Sequence, residues 1–306
     1  MDYSLIFWRA LHFLTTFQAA GVVLFCGLAV LDLAAVNAVR SLKYVFWVSL
    51  ALSFASGIGW FLAVAAAIDG STPMAALSDG TAAAVISDTQ FGWAWIVRFI
   101  AGALLAVLVA FSGCNGVWPT TAIFTATAIL VGGLAFAGHA ASSPGLTGFV
   151  HLAADILHLI AVSAWLGGLL PYVIVLGGRN DWAPKPSIEN ARKITRRFSD
   201  VGIVAVVTIA ATGVINAANL VGSFRLLATT DYGRLLSIKV FIFLIMVVIA
   251  ATNRFVLAPR LSTSDTIDVI RRNALIEAAL GVAVLSIVAA LGTMPPALLQ
   301  PGEMPN

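Results

Sequence analysis

Long apolar runs constrain the fold of this chain more than any other feature. They cover about residues 5–35, 44–68, 93–112, 120–139, 151–176, 200–221, 233–256 and 273–294. A helix needs roughly 20 predominantly apolar residues to cross the hydrocarbon core of a bilayer, and each run meets that requirement. The runs are continuous and do not alternate between polar and apolar residues, which excludes a membrane β-barrel. The sequence therefore predicts an all-α, polytopic membrane bundle of about eight transmembrane helices.

The composition excludes several other classes of protein. Hydrophobic residues make up 60% of the chain and charged residues only 10%, whereas a soluble domain carries roughly 25% charged residues. The net charge of +3 does not indicate nucleic-acid binding, because the basic residues lie in short linkers between apolar runs. Walker A, dinucleotide-binding and nucleophile-elbow sequences are absent, so we expect no enzyme, with the lipid bilayer as the main partner.

The positions of the basic residues predict the orientation of the bundle. Most of the 17 Lys and Arg residues fall in the linkers after the first, fifth and seventh runs. Those three linkers lie on the same side of the membrane, which the positive-inside rule makes the cytoplasm. Both termini then face the periplasm of a bacterium. The runs also divide the chain into two four-helix halves, residues 1–144 and 145–306.

All four histidines fall in the outer half of the membrane under this topology. His12 lies roughly 12 Å deep in the first span, at 1.5 Å per residue. His139 ends the fourth span, and the fifth begins at His151, with His158 roughly 10 Å further in. An ionisable residue in hydrocarbon is costly unless it is paired or functional, so this grouping indicates a site.

The fifth span carries the pattern His151-x3-Asp155-x2-His158, which places three side chains on one helical face. Imidazole and carboxylate ligands suit Cu(II) or Zn(II). We therefore predict an outward-facing metal site from His12, His139, His151, Asp155 and His158. In the alternative interpretation, His151 is an interfacial residue and Asp155 pairs with Lys239 or Arg98 at a similar depth.

The evidence for a functional role is weaker for the other polar residues in the apolar runs. Met294 could add a soft ligand, although packing before a proline explains it as well. Asn216 and Lys239 share the leaflet of the histidines and are candidates to orient the ligands. Asp32 and Glu277 lie towards the cytoplasmic ends of their spans, where interhelical hydrogen bonding is favoured over an ion route.

The second half of the chain resembles the CopD/PcoD copper-resistance family of bacterial inner-membrane proteins. The resemblance rests on ordered blocks at residues 151–158, 165–169, 197–199, 211–213, 232–236, 253–255 and 291–296. It covers about residues 145–297, while the first half matches only in general plan. The resemblance implies eight spans, a copper ion as the bound metal, and uptake of periplasmic copper with a separate CopC-like partner.

Two other functions stay open at this point. Histidines at one depth of a helical bundle are also what a b-type haem electron-transfer protein needs for axial ligation. A copper scaffold that receives the metal and passes it to a partner, without transport, would carry the same residues. A visible spectrum and a flux measurement separate these alternatives.

Overall fold

A computed structural model describes residues 3–30, 36–111, 121–137, 145–178 and 185–300. The regular structure of these segments is helical throughout. The α-helices are α1 (Tyr3–Ala29), α2 (Val36–Asp69), α3 (Pro73–Ser78), α4 (Thr81–Asp88), α5 (Gln90–Phe111), α6 (Thr121–Gly132), α7 (Gly145–Gly177), α8 (Ile188–Leu220), α9 (Phe224–Thr229), α10 (Asp231–Thr252) and α11 (Ser264–Leu291). The predicted all-α class is confirmed.

Seven of the described helices are long and apolar enough to cross a membrane, namely α1, α2, α5, α7, α8, α10 and α11. The remaining apolar run forms the shorter helix α6, which continues as a 3₁₀ turn over Gly133–Ala137. The 3₁₀ turn rises more per residue than an α-helix, so the two together extend about 28 Å, close to the hydrocarbon thickness. The predicted polytopic bundle is therefore present, with seven helices of spanning length and one shorter apolar helix among the described residues.

Several helices begin earlier than the apolar runs predict. α8 starts at Ile188 and α11 at Ser264, each well inside a polar linker. Hydroxyl side chains cap both starts: Ser187 Oγ accepts from Asn190 N at 3.2 Å, and Thr263 Oγ1 accepts from Thr266 N at 3.4 Å. Apolar patterning marks the lipid-embedded part of a helix, while capped polar turns carry the helix beyond it.

Helices α1 and α7 form the centre of the bundle. α1 packs against α2, α6, α7, α8 and α11, while most of α10 is exposed along the outside. α1 and α7 come closest where Gly21 meets Gly167, since a Cβ atom on either would overlap the backbone of the other helix. Small residues allow this kind of close approach in membranes.

The two central helices run parallel in a fixed register. Gly21 faces Gly167. Arg9 and Asp155 precede these two glycines by the same number of residues and lie within electrostatic range of each other. His12 and His158 also precede these two glycines by the same number of residues. The register therefore places His12 and His158 at the same depth, as the sequence predicts.

Candidate functional site

Three of the predicted ligands lie along one face of α7. His151 is buried, with 3% of its surface exposed, while Asp155 and His158 are partly buried. Their spacing spreads them over roughly 10 Å of helix, so one small ion cannot contact all three at once without movement. Within the segments that the structure describes, no three His, Cys, Asp or Glu side chains converge on a common point. His139 lies outside the described residues and remains a predicted ligand.

A hydroxyl on α8 orients the imidazole of His158. His158 Nδ1 lies 2.9 Å from Thr212 Oγ1. The Thr212 hydroxyl donates to the carbonyl oxygen of Thr208 at 2.6 Å, so it must accept from His158. Nδ1 therefore carries the proton, and Nε2 holds a lone pair. A ligating histidine is commonly held in this way, by a hydrogen bond from its other ring nitrogen.

His12 is held by a similar contact but faces a cation. Its Nδ1 donates to the carbonyl oxygen of Ser53 on α2 at 2.9 Å. Its Nε2 accepts from the guanidinium group of Arg98 on α5. Both residues are 2% exposed. The lone pair that a metal would need is thus occupied, and ligation by His12 would require Arg98 to move.

Arg98 is positioned by its own surroundings. Its Nε donates to the carbonyl oxygen of Leu130 at 3.1 Å, and its guanidinium carbon lies 4.7 Å from the centre of the Trp95 ring. Gly133 makes room for it, because a Cβ atom there would overlap the aliphatic part of the arginine. Arg98 therefore contacts His12 and other residues of the N-terminal half, and not Asp155.

Asp155 lies among polar and cationic groups. Asn216 Nδ2 donates to Asp155 Oδ1 at 3.2 Å. Lys239 and Arg9 are within electrostatic range but outside ion-pair distance, and Arg9 Nη1 binds the carbonyl oxygen of Gly292 at 2.7 Å. Of the two pairing partners considered from the sequence, Lys239 is near Asp155 and Arg98 is not. Asn216 contacts Asp155, and its role in orienting a ligand remains a prediction.

Met294 packs within an apolar cluster of the second half. The buried members of this cluster are Val221, Tyr232, Leu291 and Ala297. This contact accounts for Met294 without a metal, and its role as a ligand remains a prediction. Sequence reasoning missed Thr212 and Ser53, because their contacts to the histidines depend on how α2 and α8 pack and not on spacing along one helix.

The fold and the interior polar residues define a multi-pass helical membrane protein with ionisable groups gathered inside the bundle. Residues 192–291 match the family model described as copper resistance protein D. Residues 1–149 match that described as the N-terminal domain of copper resistance protein D-like proteins.

Known relatives extend this similarity across most of the chain. The inner membrane protein YebZ of Escherichia coli is 33% identical over 221 residues, which covers 69% of this chain and 71% of the relative. Copper resistance protein D of Pseudomonas syringae pv. tomato is 30% identical over 220 residues, with the same two coverages. Copper transport protein CutJ of Bacillus subtilis is 32% identical over 222 residues, covering 71% of this chain and 39% of the relative. No solved structure matches the chain.

The chain belongs to the copper resistance protein D family. Both halves contribute to this assignment, since the two family models match different parts of the chain.

Proposed function

We propose that this protein takes up copper across a bacterial inner membrane, with copper as its cargo. Relatives named for copper resistance, copper transport and the inner membrane support this proposal. The observation that carries it is the α7 face formed by His151, Asp155 and His158. On this face, Nε2 of His158 offers its lone pair.

The donor chemistry of this face suits copper. Imidazole binds copper well, and a carboxylate favours the divalent ion over the monovalent one. His151 and His158 are about two helical turns apart, so we infer that copper is passed between ligands along α7 and not caged by all of them. A transported ion must bind strongly enough to enter and weakly enough to leave, which a short series of ligands provides.

The proposed orientation gives this series an entrance from the periplasm. The basic linkers predict that the start of α7 faces outside, and in this orientation His151 is nearest the periplasmic surface and His158 is deeper in the membrane. A CopC-like periplasmic protein would deliver copper to this end. His139 precedes α7 closely in the sequence and is the predicted first ligand at the entrance.

Copper analysis of the purified protein tests the ligands. We expect His151→Ala and His158→Ala each to lower the copper bound per chain. Leu157→Ala is the matched control, because Leu157 neighbours His158 on α7 but is 54% exposed, on another face of the helix. Unchanged copper content in both histidine variants would remove the α7 site, and a Soret band would indicate haem instead.

Copper accumulation in proteoliposomes tests transport. We expect wild-type protein to load vesicles with copper and His158→Ala to load them more slowly, with Leu157→Ala behaving as wild type. Copper binding without accumulation under any imposed gradient would identify the protein as a scaffold that hands copper to a partner.

A further inference from the structure

A second buried polar cluster lies farther along the bundle than His151, Asp155 and His158, and the proposed copper site does not use it. Glu277 on α11 is 2% exposed, and its Oε1 accepts from Asn253 Nδ2 at 3.1 Å. Asn253 Oδ1 in turn accepts from Asn273 Nδ2 at 2.8 Å. Asn273 and Glu277 are one turn apart on α11, so both face Asn253.

The local backbone is unusual at this cluster. Asn253 caps the C-terminal end of α10 and begins a π turn over Asn253–Leu257. Single π turns within helices are rare and occur often at functional sites. Here the turn aims the Asn253 amide at the carboxyl group of the neighbouring helix.

Within the described part of the chain, hydrogen-bond donors but no cations border Glu277. The indole of Trp165 on α7 faces the carboxyl group. Tyr172 lies within electrostatic range of it, and its hydroxyl donates to Thr195 Oγ1 at 3.0 Å. Among the described residues, no Lys, Arg or His lies within ion-pair distance of Glu277.

Two arginines of the neighbouring elements contact other residues. Next to Asn253, Arg254 binds Asp200 at 2.7 Å. On α11 itself, Arg271 lies against Gly177 at the end of α7. α1, which also packs on α11, carries only Cys26 as a titratable residue in its inner half.

A carboxylate in this position would be an uncompensated charge inside a membrane, which costs several kcal/mol unless a proton or a cation neutralises it. Trp165 follows His158 on α7 by roughly 10 Å, so the cluster lies between the outer ligands and the cytoplasmic linkers. A cation that moves inward from His158 would approach the carboxyl group of Glu277. Loss of the proton from this carboxyl group would offset the charge of the arriving cation.

We propose that Glu277, held by Asn253 and Asn273, is a proton-binding site whose protonation is coupled to copper passage. One proton from the cytoplasmic side binds the carboxylate and is released to the periplasmic side as copper passes inward, so the net charge carried across the membrane is reduced by one. This inference rests on the proposed copper uptake for the coupling, but not for the proton site itself.

Infrared spectroscopy of the reconstituted protein tests the proton site directly. We expect wild-type protein to show the carbonyl stretch of a buried protonated carboxyl group, titrating with pH, and Glu277→Gln to lack it. Glu277→Asp should restore a titrating band. Glu189→Gln is the matched control, since the Glu189 side chain is 74% exposed on the polar first turn of α8. A titrating band that survives in Glu277→Gln would overturn the proposal.

Proton movement during copper uptake tests the coupling. In vesicles that hold a pH-sensitive dye, we expect copper uptake by wild-type protein to move protons and to respond to an imposed pH gradient. Glu277→Gln should lose both responses while it still binds copper at the outer ligands. Copper uptake in wild type without proton movement would overturn the coupling. Absence of copper uptake in wild type that keeps the infrared band would instead remove the proposed function and leave the proton site standing.

Discussion

Gly21 on α1 and Gly167 on α7 meet backbone to backbone at the centre of the bundle. Because α1 and α7 are parallel, this contact sets the depth of His12 against His158 and of Arg9 against Asp155. A single close approach of two helices therefore fixes the register of the polar residues on both sides of the candidate site.

Gly167→Ala should separate these helices and destabilise the protein. Its Cβ atom would overlap the carbonyl oxygen of Phe17, a backbone atom that cannot move alone, and overpacking of this kind costs about 1–3 kcal/mol. Thermal unfolding in detergent measures the effect. Gly202→Ala on α8 is the control, because its Cβ atom would meet only Trp165, at 3.9 Å. Equal stability of both variants would contradict a close α1–α7 contact.

Thr212→Val should weaken copper binding without unfolding the protein. The hydroxyl of Thr212 holds Nδ1 of His158 and so presents Nε2. Loss of such a partner typically lowers metal affinity by about 10- to 100-fold. Copper titration of the purified variant measures this.

Thr208→Val provides the matched control for Thr212→Val. Its hydroxyl binds only the carbonyl oxygen of Val204 on its own helix. Equal copper affinity of Thr212→Val and Thr208→Val would show that His158 is not oriented by Thr212, or is not a ligand.

Much of this architecture follows from the sequence, because crossing a bilayer requires long apolar helices. The position of each run indicates a helix, and a 3.6-residue period is enough to place His151, Asp155 and His158 on one face of α7. Helix ends were predicted less well, since caps such as Ser187 extend helices into polar linkers that apolar patterning does not mark.

Contacts between distant helices could not be predicted from the sequence. The sequence suggests Arg98 as a partner of Asp155 at a similar depth, but Arg98 binds His12 because α5 packs beside α2 and His12. The grouping of Glu277 with Asn253 and Asn273 likewise depends on a π turn that the residue pattern does not predict. Depth along a span follows from residue number, whereas rotation and neighbours follow from packing.

His12→Ala should destabilise the protein more than it lowers copper content. The variant leaves the buried guanidinium group of Arg98 without its acceptor, which costs about 1–3 kcal/mol. A double-mutant cycle with Arg98→Met should give a coupling energy of about 0.5–3 kcal/mol between the two residues. Thermal unfolding gives the stabilities and metal analysis gives the copper content. A loss of copper with unchanged stability would show instead that His12 is a ligand and that Arg98 moves aside for the metal.

Lys239→Met should raise the affinity of the outer site for copper. Lys239 is within electrostatic range of Asp155, so its positive charge opposes a second cation on the α7 face. At about 10 Å and an effective dielectric of 20, repulsion between two unit charges is about 1.7 kcal/mol, or more than tenfold in affinity. Asp155→Asn should act in the opposite direction, because it removes the negative charge that attracts the metal.

Copper titration of these two variants and of the double variant shows whether Asp155 is a copper ligand or only balances the charge of Lys239. If Asp155 binds copper, Asp155→Asn lowers the affinity and Lys239→Met raises it. If Asp155 only balances Lys239, each single variant loses stability, the double variant regains it, and copper affinity changes little in any of them. The second outcome would confine the α7 site to His151 and His158.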